Sequence, residues 1–239
     1  STAFYITWPD GDLIYQPTAS RIRNHRTGAV NSISGRQNFS IMRKASDYEP
    51  FCLTIFLSHL CNLACRYCYT ANKEQVPLSI FRSESVLQIA EWIACNSAKR
   101  NKPFILGFHG GNEPLLFPEL MNDVMSVCKS VAKNYNVELF PHCTTNGVLD
   151  QDTAIWARDH FHGITLSWDG PADIHDLHRL QKNSAPTSDI VHQTAHLLNG
   201  HLPQFRVRVT VTNTFVHRLD EIVDFFDQQR IRHVEFYPI

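Results

Sequence analysis

The sequence has no excess of one charge and no long apolar run. It contains 22 basic and 23 acidic residues, so its overall charge gives no reason to expect a nucleic-acid partner. No stretch approaches the roughly 18 apolar residues that a membrane-spanning helix requires. Residues 1–9 lack the basic segment and apolar run of a signal peptide. We therefore expect a soluble, cytoplasmic protein without a membrane partner.

The cysteines are seven in number, and three of them lie within eight residues. An odd number argues against a complete set of internal disulfides. In a reducing cytosol, clustered cysteines indicate a metal site more often than a disulfide. Cys61, Cys65 and Cys68 are therefore the candidate metal ligands, and the other four cysteines are expected to pack within the fold.

From residue 50 onward, apolar strand-like segments alternate with amphipathic stretches. This alternation predicts an α/β fold with a parallel sheet and helices outside it. Right-handed crossovers would curl six strands into a partial (β/α)6 TIM-type barrel, and an open doubly wound sheet is the alternative. The predicted strands are Phe51–Leu57, Phe104–Phe108, Glu138–Cys143, Ile164–Trp168, Arg206–Thr212 and His233–Tyr237. The predicted helices are Ser83–Ala98, Glu119–Asn134, Asp152–Asp159, Asp189–Leu198 and Leu219–Gln228.

The first 49 residues have a different pattern. Phe4–Trp8 and Leu13–Gln16 flank the turn sequence Pro-Asp-Gly-Asp, which predicts a β-hairpin. Residues 17–49 look irregular, and the part from 18 to 46 carries six basic residues and no acidic one. That part is either a solvated loop or a contact surface for an acidic peptide. We expect a hairpin and basic segment over 1–49 and a core domain over 50–239.

Unusual polar and glycine-rich segments follow the first four predicted strands. The three cysteines follow the first strand, and the other segments are Gly110–Pro114, Thr144–Gly147 and Asp169–Pro171. Active sites of parallel α/β folds gather at the carboxyl ends of the strands. We therefore expect these four segments to converge on one site.

Three cysteines in one short loop are typical of a site for an iron–sulfur cluster. Thiolates hold the irons of such clusters, and three of them leave one iron of a cubane open to a small molecule. Zinc is the competing metal, with His59 as a nearby fourth ligand, but structural zinc sites usually use two pairs of ligands. A chance grouping of core cysteines is the third interpretation. The spacing favours the cluster.

The sequence Cys61-Asn-Leu-Ala-Cys65-Arg-Tyr67-Cys68 resembles the CxxxCxxC signature of the radical S-adenosylmethionine (SAM) superfamily. The resemblance implies a [4Fe–4S] cluster held by the three cysteines, with the fourth iron chelated by the amino and carboxylate groups of SAM. It implies reductive cleavage of SAM to methionine and a 5′-deoxyadenosyl radical, which abstracts a hydrogen atom from the substrate. It also implies a reducing electron donor such as flavodoxin or ferredoxin.

The resemblance covers residues 51–239 and extends to the SPASM group of peptide- and protein-modifying members, which includes anaerobic sulfatase maturases. It implies that Tyr67 packs near the adenine and that Ser167 and Arg179 contact SAM. Asn146 lies in a Thr-Asn-Gly segment that either forms a turn or contributes to the pocket. Ile239, at the end of the last strand, is placed against the adenosine.

The glycine-rich segment departs from the family pattern Gly-Gly-Glu-Pro at one position. It reads Gly110-Gly111-Asn112-Glu113-Pro114, so Asn112 is either an inserted residue or a replacement for the second glycine. Asparagine adopts left-handed backbone more readily than most residues, so both alternatives stay open. In both, the resemblance implies that Gly111 and Glu113 meet the ammonium group of SAM, with Gly110 as a further candidate.

Members of the SPASM group continue past the sixth strand into a cysteine-rich domain that binds auxiliary clusters. This sequence ends at Ile239 and represents either a minimal enzyme or a fragment. The resemblance implies a maturase that abstracts hydrogen from a peptide or protein. The alternatives are a radical SAM enzyme acting on a small molecule or an RNA base, and a metal-stabilised binding module without turnover.

Overall fold

The computed structural model of the chain describes residues 3–6, 13–16, 21–24, 30–32, 49–70, 83–110 and 112–239. Side chains are described for 49–70, 85–110 and 112–239. The chain divides into two compact units. The first contains the described residues of 1–58, 76–108 and 119–141, and the second those of 59–75, 109–118 and 142–239.

The first unit begins with a series of short antiparallel strands. β1 (Ala3–Ile6) pairs with β2 (Leu13–Gln16), which confirms the predicted N-terminal hairpin. β3 (Arg21–Asn24) pairs with β2, and β4 (Val30–Ser32) pairs with β3. The expectation of an irregular stretch over 17–49 was therefore wrong at these two strands.

The sequences of β3 and β4 explain why they were missed. They are four and three residues long and lack the alternation of apolar and polar residues over four or more positions that signals a strand. Residues 25–29 and 33–48 lie outside the described residues, so the contact surface for an acidic peptide remains a prediction. The division of the chain at residue 49 also remains a prediction.

The first unit continues with parallel strands and two helices. β5 (Cys52–Phe56) pairs antiparallel with β1 and parallel with β6 (Phe104–Phe108). The helices are α1 (Ser83–Arg100) and α2 (Pro118–Asn134). The buried residues of α2 recur three or four positions apart, the spacing that places them on one face of a helix.

The second unit contains a run of parallel strands that alternate with helices. β7 (Leu139–Thr145), which enters this unit at His142, pairs with β8 (Gly163–Ser167). β8 pairs with β9 (Gln204–Val211), and β9 pairs with β10 (Val234–Pro238). The helices are α3 (Gln151–His160), α4 (Ala172–His178), α5 (Ser188–Leu198) and α6 (Leu219–Gln228). Parallel strands that alternate with helices confirm the α/β fold class. Among the described residues, no helix has both the length and the apolar character that a membrane span needs.

The strands of the second unit are held by apolar side chains on alternate positions. In β9, Phe205, Val207, Val209 and Val211 are buried, while the residues between them are partly exposed. Trp168, directly after β8, is 1% exposed and packs edge-on against Phe225 and Phe226 of α6. This packing fixes the end of β8, where the polar residues of the candidate site begin.

Helix α4 was not predicted from the sequence. It is seven residues long and follows Pro171, whose φ of −52° suits the start of a helix. Its one buried aliphatic residue, Ile174, gives no periodic apolar signal. The helix matters because it positions His175, His178 and the following residue, Arg179.

Candidate functional site

The three cysteines lie in one loop of the second unit, within residues 59–70. Backbone hydrogen bonds attach this loop to the residues that end and follow α4. The Ala64 N–H donates to the Leu180 carbonyl at 2.8 Å, and the Arg66 N–H donates to the His178 carbonyl at 2.9 Å. The loop is therefore held in place by main-chain contacts that do not depend on a bound metal.

The three cysteine thiols are half-buried and free of disulfides. Burial raises the pKa of Cys65 to about 11; Arg179 opposes this rise, and Cys61 and Cys68 add to it. Burial also raises the pKa of Cys61, with Cys68 among the smaller causes. Cys61 and Cys68 are thus close enough to Cys65 to disfavour its ionisation. A bound cation reverses that effect, because it stabilises thiolates. Thiolates are the ligands of iron–sulfur clusters, so the donor chemistry of the loop fits such a centre, although no group of three or more His, Cys, Asp or Glu among the described residues is already placed to hold a metal ion.

Cys61 is also linked to the end of β7. The Asn146 Nδ2 donates to the Cys61 Sγ at 3.6 Å and to the Asn62 Oδ1 at 2.7 Å. The Leu63 N–H donates to the same sulfur at 3.4 Å. Hydrogen bonds to ligand sulfurs tune the reduction potential of iron–sulfur clusters, so Asn146 is placed where it could affect such a cluster.

Glu113 carries a buried carboxyl group, 1% exposed, that three hydrogen bonds hold in place. Its Oε1 accepts from the Leu115 N–H at 3.1 Å and the Thr145 hydroxyl at 2.8 Å. Its Oε2 accepts from the Asn146 N–H at 2.6 Å. Burial raises the pKa of Glu113 to about 7, although these bonds oppose the rise. A cation at the open side of this carboxyl would favour its ionised form.

Asp169 joins three other residues of the site. It is fully buried and accepts from the Tyr67 hydroxyl at 2.5 Å, the Thr210 N–H at 2.9 Å and the Arg179 Nε at 2.9 Å. Burial opposes ionisation of Asp169, but the charge of Arg179 and these hydrogen bonds outweigh it and lower its pKa. Asp169 and Arg179 therefore form a buried ion pair.

Tyr67 is fixed from several sides between the second and third cysteines. The guanidinium carbon of Arg179 lies 5.2 Å from its ring centroid, and the His178 ring lies 5.3 Å away. Burial, the largest cause, raises the pKa of Tyr67, so its hydroxyl stays protonated and donates to Asp169. The Tyr67 ring is thereby held in a fixed position within the cysteine loop.

His175 supports Asp169 and Arg179 through a chain of hydrogen bonds. The Asp169 N–H donates to the His175 Nδ1 at 3.1 Å, so the ring proton lies on Nε2, which bonds the Thr187 hydroxyl at 3.1 Å. The Thr187 hydroxyl donates in turn to the Arg179 carbonyl. Burial lowers the pKa of His175 to about 4, so at neutral pH the ring has the uncharged state that this chain requires.

The remaining predicted residues are less closely connected to this network. Gly110 has a φ of +105°, a left-handed conformation that favours glycine. Gly111 lies outside the described residues. Ser167 is half-buried at the end of β8, two residues before Asp169. Ile239 is 71% exposed, and its N–H donates to the Val211 carbonyl at 3.1 Å.

The structure therefore brings together two groups of predicted residues. Asn146 and Glu113 bond to each other near Cys61, and Tyr67 and Arg179 meet through Asp169 near Cys65. Sequence reasoning assigned no role to Asp169, His175, Thr145 or Asn62. The available signal was weak: an acidic residue directly after a buried strand, followed ten positions later by an arginine.

Comparison with known families places the chain in one of them. A sequence model of the radical SAM superfamily matches residues 55–233, which is well over half of the chain. The chain belongs to the radical SAM superfamily. This confirms the predicted family, and with it the expectation of a radical SAM enzyme that uses SAM and an iron–sulfur cluster. The half-buried thiols and the buried carboxyl of Glu113 fit these two groups.

This radical SAM chain is similar to sulfatase-maturating enzymes. It is 25% identical over 182 residues to a cysteine-type anaerobic sulfatase-maturating enzyme of Clostridium novyi (strain NT). The alignment covers 74% of this chain and 48% of that relative. The chain therefore spans about half the length of the curated relatives it matches.

Solved radical SAM structures share the fold. Native anSMEcpe with bound AdoMet and peptide has a TM-score of 0.65 and 22% identity, over 78% of this chain and 51% of that one. SuiB of Streptococcus suis, bound to the precursor peptide SuiA, has a TM-score of 0.58 and 18% identity, over 87% of this chain and 46% of that one. These similarities confirm the predicted partial (β/α)6 barrel.

Proposed function

We propose that this chain is the radical SAM core of a peptide- or protein-modifying enzyme. The observation that carries the proposal is one loop with three half-buried cysteines free of disulfides, beside the buried Glu113 and the fixed ring of Tyr67. The relatives support the substrate class, because one is a sulfatase-maturating enzyme and another was solved with a precursor peptide. The hydrogen abstracted would come from an amino-acid residue of the substrate.

In this proposal, Cys61, Cys65 and Cys68 hold three irons of a [4Fe–4S] cluster and leave the fourth open. When bound, the cluster and SAM, supplied with an electron by a donor such as flavodoxin or ferredoxin, yield a 5′-deoxyadenosyl radical. The chain's own contribution is to bind and orient the cluster and SAM and to exclude water. Asn146 donates to the Cys61 sulfur and thereby stabilises its charged form.

Two polar groups are proposed to orient SAM. Glu113 has one open acceptor position on Oε2, since a carboxylate accepts about four hydrogen bonds and three are already made. We assign that position to the ammonium of SAM. Tyr67 offers its ring to the adenine. Arg179, at 6% exposure and paired with Asp169, helps to hold the Tyr67 ring and remains a predicted SAM contact. Gly110, Gly111, Ser167 and Ile239 remain predicted SAM contacts.

The pKa of Glu113 predicts how binding depends on pH. With a pKa of about 7, Glu113 is mostly protonated at pH 6 and mostly ionised at pH 8. An ammonium group binds the ionised form better, so affinity for S-adenosylhomocysteine should rise about tenfold over this range. Calorimetric titration of the reconstituted protein at pH 6, 7 and 8 checks this. The affinity of the Glu113→Gln variant should not change with pH. A wild-type affinity that falls as pH rises would contradict the assignment of Glu113 to the ammonium group.

The substrate class is tested by deuterium transfer. Three fractions from source cells grown in deuterated medium (peptides and proteins, small metabolites, and RNA) are each incubated with the reconstituted protein, SAM and dithionite. We expect deuterium in the 5′-deoxyadenosine formed with the peptide and protein fraction. Deuterium that arrives only from metabolites or RNA would redirect the proposal to those substrates. The Cys65→Ala variant controls for transfer that does not depend on the protein.

A further inference from the structure

Asn112 lies directly before Glu113, and its side-chain amide has no partner in the part of the chain that the structure describes. Both Nδ2 and Oδ1 are buried, and neither forms a hydrogen bond with any residue that the structure describes. The residue as a whole is only partly buried, so its exposed atoms are others than those of the amide, and the amide points inward. Buried polar groups in native proteins are nearly always paired, so this amide calls for a partner outside the described residues, and a bound ligand is one such partner.

The polar groups around Glu113, the residue next to Asn112, are largely occupied. Glu113 accepts three hydrogen bonds and retains one open position. Both donors of the Asn146 amide are used, since Nδ2 donates to Cys61 and Asn62, and its Oδ1 accepts from the Val148 N–H. The amino-acid end of SAM has an ammonium group with three donors and a carboxylate that needs several donors. The one open acceptor position on Glu113 cannot satisfy both groups. Asn112, the residue next to Glu113, carries a donor, Nδ2, and an acceptor, Oδ1, that no described residue uses.

We propose that Asn112 binds the amino-acid end of SAM and is a positioning and specificity-determining residue of this chain. Its Oδ1 accepts from the ammonium group, and its Nδ2 donates to the carboxylate, so that one amide binds both ends of the zwitterion. A glycine at this place has no side chain and makes neither contact. The inference rests on the proposed function, because it takes SAM as the ligand of this site.

The test compares two ligands that differ only at the amino-acid end. S-adenosylhomocysteine carries the ammonium and carboxylate groups, and 5′-methylthioadenosine lacks both. Their dissociation constants are measured by calorimetry on anaerobically reconstituted wild-type protein and on the Asn112→Ala and Asn112→Gly variants. We expect both variants to bind S-adenosylhomocysteine at least about tenfold more weakly, because hydrogen bonds to charged groups are lost. Affinity for 5′-methylthioadenosine should not change.

A charge-altering variant adds a readout that a purely structural role would not move. Asn112→Asp keeps the size and the acceptor but replaces the donor with a negative charge. It should weaken binding of S-adenosylhomocysteine, whose carboxylate is repelled, and leave the decarboxylated analogue bound at least as tightly as in the wild type. Asn136→Gly, at an exposed residue with a φ of +53°, is the matched control and should alter neither affinity.

Two results would overturn the proposal for Asn112. An equal loss of affinity for both ligands in the Ala and Gly variants would show that the amide only supports the fold. Unchanged affinities would show that the amide is satisfied by water or by another part of the chain rather than by SAM. Failure of the proposed function has a different signature: wild-type protein would then form no 5′-deoxyadenosine from SAM, whatever the Asn112 variants bind.

Discussion

Replacing Cys65 with alanine is expected to abolish formation of 5′-deoxyadenosine from SAM. Two thiols cannot supply the three protein ligands that a cluster with one open iron requires. The loop itself should persist, because the backbone bonds of Ala64 and Arg66 hold it without the metal. The variant should therefore fold, bind less iron after reconstitution and lack the visible absorption of the cluster. Iron and sulfide content, absorption and product formation are the measurements.

Cys95→Ala is the matched control for this prediction. Cys95 is also a free, half-buried cysteine, but it lies on α1 in the first unit. Its replacement should leave iron content and product formation at the wild-type level. Product formation by the Cys65 variant at a comparable rate would contradict the assignment of the cluster ligands. Equal losses in both variants would point to general damage by cysteine replacement.

The second large effect is expected from Asp169→Asn. This change removes the charge that compensates Arg179, whose guanidinium is buried at 2.9 Å from Asp169. Breaking a buried ion pair by removing one partner costs about 3–5 kcal/mol, because the other charge is left uncompensated. The free energy of unfolding should fall by about that amount in anaerobic urea titrations. The amide also keeps only one acceptor oxygen, so the Tyr67 hydroxyl and the Thr210 N–H can no longer both donate to this side chain, and affinity for S-adenosylhomocysteine should fall.

Asp159→Asn tests whether this effect arises from burial. Asp159 also pairs with an arginine, Arg158, at 2.8 Å, but both side chains are accessible to solvent. Exposed ion pairs contribute little, because water and salt screen them. The control should therefore unfold at nearly the same urea concentration as the wild type. A loss of stability for Asp169→Asn no larger than for this control would show that the buried pair is not a structural centre of the site.

Long periodic segments of this fold could be predicted from the sequence. Residues 104–108 and 219–228 have the predicted bounds in the structure as β6 and α6. β6 is an unbroken apolar run, and the buried Ile222 and Phe226 of α6 are one helical turn apart. The cysteine spacing likewise predicts a metal site from three residues, and that assignment remains a prediction. In each case the signal lies in neighbouring positions of the chain.

The contacts that organise the site could not be predicted in this way. Tyr67 and Asp169 are 102 positions apart, and Thr145 and Glu113 are 32 apart. Such hydrogen bonds depend on how the strand ends are placed by the fold, not on a local repeat. The amide of Asn112 is a similar case, because the sequence showed an unusual residue but not that its donor and acceptor lack partners among the described residues.

The most direct test of this account is whether the chain cleaves SAM. Anaerobically reconstituted protein is incubated with SAM and dithionite, and 5′-deoxyadenosine and methionine are quantified by mass spectrometry. We expect both products, dependent on the reductant and absent in the Cys65→Ala variant. Wild-type protein that carries its full complement of iron and binds S-adenosylhomocysteine, yet forms no 5′-deoxyadenosine, would contradict it.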